Sequence, residues 1–349
     1  MNPRFYYAVS QFGAEKVVKA EMANEYPHLK FSFSRPGFVT FKEENDRKAP
    51  VLVTSSIFSR LWGQTVGQAK DFDSLVTLLK QIPEGSVIQA FERDQSIPGD
   101  EPEGFVPNAR IDDLLKKLKE QDLPKFQWNA TPKVESMVYD LIWIDDFHVF
   151  LGKHFQASGL DPSPGNYPKI SLPANAPSRA YLKLAEAIHR FKPHVEKGMA
   201  ALELGCSPGG ATVKMLSLGF KVTGADPRRV DERLLSEKNF KFIQKPALAL
   251  TELELNEINP NWIVTDMNIA PLEAIDEIAS VIRMLRRVHG RNLKLKNGFF
   301  TIKLNDWKFV DSIPLYLKRL EETGFQTLIP IQLCSNRQEF FVFAADFAG

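Results

Sequence analysis

The sequence predicts an α/β protein: a doubly wound parallel sheet closed by an antiparallel hairpin, with a smaller α+β domain before it. Three observations carry this. From residue 199 onward, short apolar runs alternate with amphipathic helical stretches, the order of a parallel sheet. The last two strand candidates are separated only by Cys334-Ser335-Asn336-Arg337-Gln338, too short for a parallel crossover. Residues 156–177 hold five prolines and two glycines, a density that punctuates structure and marks a boundary. A chain of 349 residues fits two domains. The division expected is an N-terminal domain over 1–155, a linker over 156–177 and a C-terminal domain over 178–349.

In the N-terminal domain, residues 5–9 read as a strand and 14–25 as a helix. Residues 31–41 alternate around Pro36-Gly37 and read as a strand or hairpin. Helices are expected at 72–82 and 111–119, a strand at 87–91, and a hairpin at 134–155 broken at Asp145-Asp146. A second loop-like stretch, 95–108, holds three prolines and two glycines. This domain shows no catalytic constellation. In the C-terminal domain, strands are expected at 199–204, 221–225, 262–266, 298–304, 327–333 and 339–344. Helices are expected at 178–191, 210–218, 272–289 and 312–323.

Composition bounds the function classes. Apolar residues make up 44% and charged residues 25%, which excludes a disordered chain. No apolar run is long enough for a membrane-spanning helix, and the first residues show no secretory signal. Two cysteines, Cys206 and Cys334, exclude a disulfide scaffold and a four-cysteine zinc site. The six histidines form no ligand-spaced cluster, so no metal is expected. A soluble, cytoplasmic protein with reduced thiols is the expectation. Net charge is +1, but it is divided: 20 Lys+Arg face 23 Asp+Glu over residues 1–170, and 24 face 20 over the rest. A mildly basic C-terminal domain suits a polyanionic substrate and equally an ordinary solvated surface.

The strongest local signal is Ala200-Ala201-Leu202-Glu203-Leu204-Gly205-Cys206-Ser207-Pro208-Gly209-Gly210. An apolar strand enters a glycine-rich turn and a helix follows. Glycines let backbone approach a ligand, and the helix start offers free N–H groups. Asp226 ends the next strand, where a carboxylate can accept from both hydroxyls of a ribose. The turn does not spell G-x-G-x-x-G, so a nucleoside-type ligand fits better than a dinucleotide. Tight strand–helix packing is the plainer reading of the glycines alone.

A second signal is a set of charges at element ends. Lys183 lies on the helix before the turn. Asp266 closes the strand at 262–266, Lys303 lies inside the apolar strand at 298–304, and Glu339 opens the last strand. Alone, Lys183 is an exposed helix residue and Glu339 a strand-edge charge. Lys303 is harder to dismiss, because a lysine in a buried strand is costly without a partner. Strand C-termini of an open α/β sheet converge on one crevice, so Asp266 and Lys303 should meet near the turn.

These residues, with Pro177-Ser178-Arg179-Ala180-Tyr181-Leu182-Lys183-Leu184, Thr265-Asp266-Met267 and Arg337-Gln338-Glu339, stand in an order and spacing that resembles FtsJ-type ribose 2′-O-methyltransferases. The resemblance covers about residues 170–345. It implies a Rossmann-like methyltransferase sheet, the cofactor S-adenosylmethionine, and a Lys-Asp-Lys-Glu tetrad of Lys183, Asp266, Lys303 and Glu339. It further implies cofactor contacts from Ser178, Gly205, Ser207, Pro208, Gly209, Gly210, Asp226 and Asp266. Leu172-Pro173-Ala174-Asn175-Ala176-Pro177-Ser178-Arg179 looks most like the RlmM branch, whose members methylate a cytidine ribose in 23S rRNA and carry an N-terminal THUMP-containing region. By that resemblance the partner is RNA, ribosomal RNA in particular, and the N-terminal domain is THUMP-like and docks it. Two positions depart from the family. Ala211 follows the Gly-Gly pair where an aromatic is common. Pro246 stands near the place of an aspartate that receives the adenine amino group.

The chemistry sets conditions. A ribose hydroxyl is a poor nucleophile and needs a positioned base. Lys303 would be that base, and it must be neutral, with a pKa well below ~10.4. Burial and the charge of Lys183 push that way, and Asp266 opposes it and would orient the amine. Glu339 would hold Lys183 or the hydroxyl. Arg179, Arg190, Lys192, Arg228, Arg229 and Arg233 could line an RNA path or form a solvated basic face. Two other classes stay open: a silent RNA-binding protein that keeps the fold, and an S-adenosylmethionine enzyme acting on a protein or small molecule.

Overall fold

The computed structural model describes residues 4–44, 56–96 and 107–348. The chain divides into two compact units, Met1–Lys169 and Ile170–Gly349.

The first unit runs β1 (Phe5–Ser10), α1 (Glu15–Glu25), β2 (Leu29–Arg35), β3 (Phe38–Glu43), β4 (Ser59–Ala69), α2 (Phe72–Leu79), β5 (Val87–Glu92), α3 (Ala109–Lys119), β6 (Gln127–Trp128), β7 (Met137–Asp145) and β8 (His148–Phe155). They build one mixed sheet in the order β2-β3-β1-β4-β8-β7-β5-β6. α2 and α3 bury Leu75, Leu79, Ile111, Leu114, Leu115 and Leu118 against Ile88, Leu141 and Leu151 of the sheet. Asp71 and Asn108 cap these helices by accepting from backbone N–H groups of their first turns. The proline-rich stretch at 95–108 lies mostly outside the described residues. Strand β4 has no counterpart among the expected elements. Its Gly63 and Gly67 and its polar residues read as loop, yet Gly63 is required. A Cβ there would strike the Tyr7 ring, which lies across β4 and over Gly152 of β8.

The expected linker is shorter than its composition suggests. Up to Lys169 it belongs to the first unit. Gln89 Nε2 donates to the Pro162 carbonyl at 2.6 Å, and Asn166 Nδ2 donates to the Arg60 carbonyl.

The second unit runs α4 (Ala180–Phe191), β9 (Ala200–Leu204), α5 (Gly210–Ser217), β10 (Lys221–Ala225), β11 (Phe240–Ile243), α6 (Glu252–Asn256), β12 (Trp262–Thr265), α7 (Pro271–His289), β13 (Asn297–Lys303), α8 (Ile313–Glu321), β14 (Phe325–Ile331) and β15 (Glu339–Phe347). The strand order is β11-β10-β9-β12-β13-β15-β14. Every pair up to β12–β13 is parallel, and β15 runs antiparallel to both β13 and β14, the expected hairpin. Short β11 and α6 join the expected elements. Apolar side chains sit on both faces. Trp262 packs between Phe220 and Phe299, with ring centroids 4.4 and 4.5 Å away. Ile275, Ile278, Val281, Ile282 and Leu285 form the buried stripe of α7. The strand order reverses between β9 and β12, so a crevice opens beyond their C-terminal ends. Gly205 follows β9 and Asp266 follows β12 at that reversal.

Candidate active site

The turn after β9 is held by its own packing. Gly205 and Gly209 have φ of +77° and +118°, the left-handed region that favours glycine. A Cβ at Gly205 would meet Met267 Cγ at 2.8 Å, and one at Gly209 would strike Leu234. A Cβ at Gly210 would strike Ser178 Oγ. The glycines thus let β9, α5 and the segment before α4 close together.

Asp226 is 3% exposed and fastens two loops. Its Oδ2 accepts from Ser207 N at 3.0 Å and its Oδ1 from Arg228 N at 2.8 Å. The Ser207 hydroxyl donates to the Arg229 carbonyl at 2.7 Å, and the Pro208 carbonyl accepts from Asp231 N at 3.0 Å. Ser207 and Pro208 therefore lie at the expected place and tie the turn to the loop after β10. Each Asp226 oxygen keeps one lone pair for a further donor.

The four charges converge. Lys183 Nζ donates to Asp266 Oδ2 at 2.9 Å and reaches Glu339 Oε1 at 2.7 Å. Lys303 Nζ lies 2.9 Å from Asp266 Oδ1 and donates to Glu339 Oε2. Two cations and two anions alternate in a closed ring. Topology explains it. Lys303 ends β13 and Glu339 begins its antiparallel neighbour β15, directly opposite in register. Asp266 follows β12 in the same edge, and α4 lays Lys183 over it. Lys183 is buried, not an exposed helix residue, and Glu339 is 4% exposed. Asp266 and Lys303 keep 19% and 20% side-chain exposure, so the ring opens to solvent on their side.

The electrostatics correct one expectation. Burial does pull the Lys303 ammonium down, but the charges of Glu339 and Asp266 and the hydrogen bond to Glu339 outweigh it, and its pKa is raised. Lys303 therefore carries its proton in this arrangement. Glu339 shows the reverse. Burial pushes it up, and Lys183 and Lys303 outweigh that and hold it at about 2.

Sequence reasoning misses three residues here. Asn336, fully buried, donates from Nδ2 to Glu339 Oε1 at 2.8 Å. In the sequence it is merely a turn residue. Glu203, on β9 below the turn, accepts from Thr212 Oγ1 at 2.5 Å. Its pKa is raised to about 8, first by burial, with Asp266 and Asp226 adding to it against the Thr212 hydrogen bond. Glu186 pairs with Arg190 at 2.8 Å, with both side chains 3% exposed. Arg190 is thus a structural cation and does not line an RNA path. Arg233 is tied to Asp231 at 2.7 Å.

Two buried hydroxyls near the turn, Ser178 Oγ and Thr265 Oγ1, lack a hydrogen-bond partner among the described residues. With the carboxylate of Asp226 and the N–H groups at the start of α5, they are the polar groups gathered around the glycine turn. Residues 176–342 match the FtsJ-like methyltransferase family. The second unit is an FtsJ-like methyltransferase domain. Its cofactor is S-adenosylmethionine, and the unpartnered hydroxyls of Ser178 and Thr265 with the carboxylates of Asp226 and Asp266 suit a ligand with ribose hydroxyls and a positive charge. The chain is similar to the ribosomal RNA large subunit methyltransferase M of Aeromonas hydrophila, 26% identical over 78% of this chain and 78% of that protein. It is also similar to the protein of that name from Shewanella sediminis, 32% identical over 55% of this chain and 50% of that protein. Among the described residues no group of side chains is arranged to hold a metal ion, and no helix is long and apolar enough to cross a membrane.

Proposed function

We propose that this chain transfers a methyl group from S-adenosylmethionine to a ribose 2′-hydroxyl of ribosomal RNA, with Lys303 as the base. The observation that carries it is the ring of Lys183, Asp266, Lys303 and Glu339 beside the glycine turn of a methyltransferase domain. The relatives, ribosomal RNA large subunit methyltransferases M, suggest the substrate class.

S-adenosylmethionine supplies an electrophilic methyl group on a positively charged sulfur. Asp226 would hold ribose hydroxyls of that ligand, Ser178 and the turn its polar groups, and Asp266 the side facing its positive charge. Asp266 cannot serve a new cation and Lys303 equally. Turning part of its charge away relaxes one of the two carboxylates that keep Lys303 protonated. Lys303, now easier to deprotonate, would first release its proton to solvent on the open side of the ring. The neutral amine would then take the hydroxyl proton as the oxygen bonds to the methyl carbon and the carbon–sulfur bond breaks toward sulfur. Lys183 and Glu339 keep the amine in place. A positioned base contributes typically 10²–10⁴-fold, and alignment of the reactants adds to it. The first unit would dock the RNA as a THUMP-like domain, and phosphate contacts by Arg228 and Arg229 would be salt-sensitive.

Two observations favour a second reading, a silent RNA-binding scaffold: Pro246 near the place of the adenine-binding acid, and the raised pKa of Lys303. One experiment separates them. 2′-O-methylation is mapped across the ribosomal RNA of cells with and without this gene, and purified protein with labelled S-adenosylmethionine is added to the unmethylated RNA. One ribose should lose its mark in the deletion and regain it in vitro. An unchanged map and no labelling would leave the scaffold.

A further inference from the structure

We infer that Asn336 is a positioning residue, whose side-chain amide sets the rotation of the Glu339 carboxylate so that one oxygen serves each lysine of the ring. The inference rests on the proposed reading of that ring as the catalytic centre.

Glu339 has two oxygens and three donors. Oε1 accepts from Lys183 at 2.7 Å and Asn336 at 2.8 Å, and Oε2 accepts from Lys303. An ammonium is a point charge with rotating donors and does not fix the plane of a carboxylate. A planar amide held at its other end does. Asn336 is held there, since its Oδ1 accepts from Leu333 N at 2.8 Å. That contact turns Nδ2 toward Glu339. The loop itself is braced. Gln332 Nε2 donates to the Arg337 carbonyl at 2.7 Å, and Cys334 N donates to Glu186 Oε2 at 2.9 Å. Glu186 sits on α4, three residues after Lys183. The helix that supplies one lysine thus anchors the loop that aims the carboxylate.

The amide does this without adding charge, and the test turns on that. The charged groups around position 336 are Lys183, Glu186 and Arg190 of α4, Asp266 after β12, Lys303 of β13, Glu339 of β15 and Arg337 of the loop. In Asn336→Asp the new carboxyl still accepts from Leu333 N. Two carboxylates in contact cannot both ionise readily, so the pair shares a proton at low pH and loses it as pH rises. With the proton, the new carboxyl still donates to Glu339. Without it, the two repel.

The experiment compares N336D with the wild type by single-turnover methyl transfer between pH 6 and pH 9. The expected rate ratio lies near one at pH 6 and falls at least tenfold by pH 9. Acetylation of Lys183 and Lys303 by acetic anhydride, read peptide by peptide, should slow at least threefold in N336D at pH 9, because an added negative charge keeps both amines protonated. A ratio independent of pH together with unchanged labelling would overturn the inference, whatever the size of the ratio. If N336D does not fold, Asn336→Ser, which adds no charge and is too short to bridge Leu333 N and Glu339, is measured in its place. The transfer rate should then fall at least threefold at every pH, and a wild-type rate overturns the inference. Should the wild type transfer no methyl group, the methyltransferase reading fails by itself, and the labelling still shows whether a charge at position 336 reaches both lysines through the Glu339 contact.

Discussion

Each unit buries a cluster of titratable groups, and the two clusters differ in one respect that matters. In the second unit Asp266, Lys303 and Glu339 stand at strand ends beneath Lys183 of α4, with Asp266 and Lys303 partly open to solvent. In the first unit Tyr7 donates to Asp140, whose Oδ2 also lies 2.5 Å from His154 Nδ1, and His154 Nε2 lies 3.4 Å from Gln156. All four are between 0% and 4% exposed. They lie on the face of the central strands, shut off from solvent. Both clusters perturb proton affinities. Tyr7 is raised, first by burial and then by Asp140. His154 is pulled down by burial and raised more by Asp140. A perturbed group is therefore a candidate for chemistry only when its site also opens to a ligand. By that criterion the first cluster is a buried fastening across β1, β7 and β8, and the second is the candidate site.

The largest expected effect breaks the comparison if it fails. Lys303→Ala should lower single-turnover methyl transfer by at least ~10³-fold while leaving S-adenosylmethionine binding close to wild type. The melting temperature should fall, because buried Glu339 keeps only one of its two cations. Lys303→Arg should be equally inactive, because a guanidinium does not deprotonate. Wild-type activity in Lys303→Arg would remove Lys303 as the base and leave the ring as a second fastening.

The matching variant in the first unit should do the opposite. Asp140→Ala leaves His154 and Tyr7 without their shared acceptor. Removing one partner of a buried pair costs about 3–5 kcal/mol. A denaturant melt should show that loss, while calorimetric titration of the folded protein with S-adenosylmethionine is unchanged. A stable Asp140→Ala protein would show that the buried cluster is no fastening.

Legibility in the sequence follows the same division. The strand-turn-helix from Ala200 to Ser217 is spelled by local cues, and its elements fall within a residue or two of expectation. Lys303 stands out because an apolar strand offers a lysine no reason to be there. What is not legible depends on partners far along the chain. β4 hides because Gly63 makes room for Tyr7, some 56 residues earlier in the sequence. Arg190 resembles a surface cation until Glu186 and the loop at Cys334 close over it. The sign of the Lys303 shift is hidden too, because it depends on two carboxylates both lying within contact distance. Residue types alone weigh burial and Lys183 against one of them.

The smallest effect sharpens the boundary between site and support. Glu203 lies under the glycine turn, fully buried, with a pKa of about 8 caused first by burial. Its ordinary value is about 4.5. As pH rises from 4.5, the unfolded chain releases this proton and the folded chain keeps it, so the fold loses stability until about pH 8 and no further. Glu203→Gln removes the titration and keeps the side chain's shape, with the Thr212 hydroxyl as its partner. The variant should therefore gain on the wild type progressively between pH 5 and pH 8, and the gain should level off above that. A difference of about 1 kcal/mol moves the melting temperature of a unit this size by ~2–4 °C, well within reach of a thermal melt. Methyl transfer should stay within twofold of wild type, since Glu203 faces Thr212 beneath the turn. A melting difference that does not change with pH would mean that Glu203 is already ionised in the fold. The floor of the site would then hold a third negative charge beside Asp266 and Asp226.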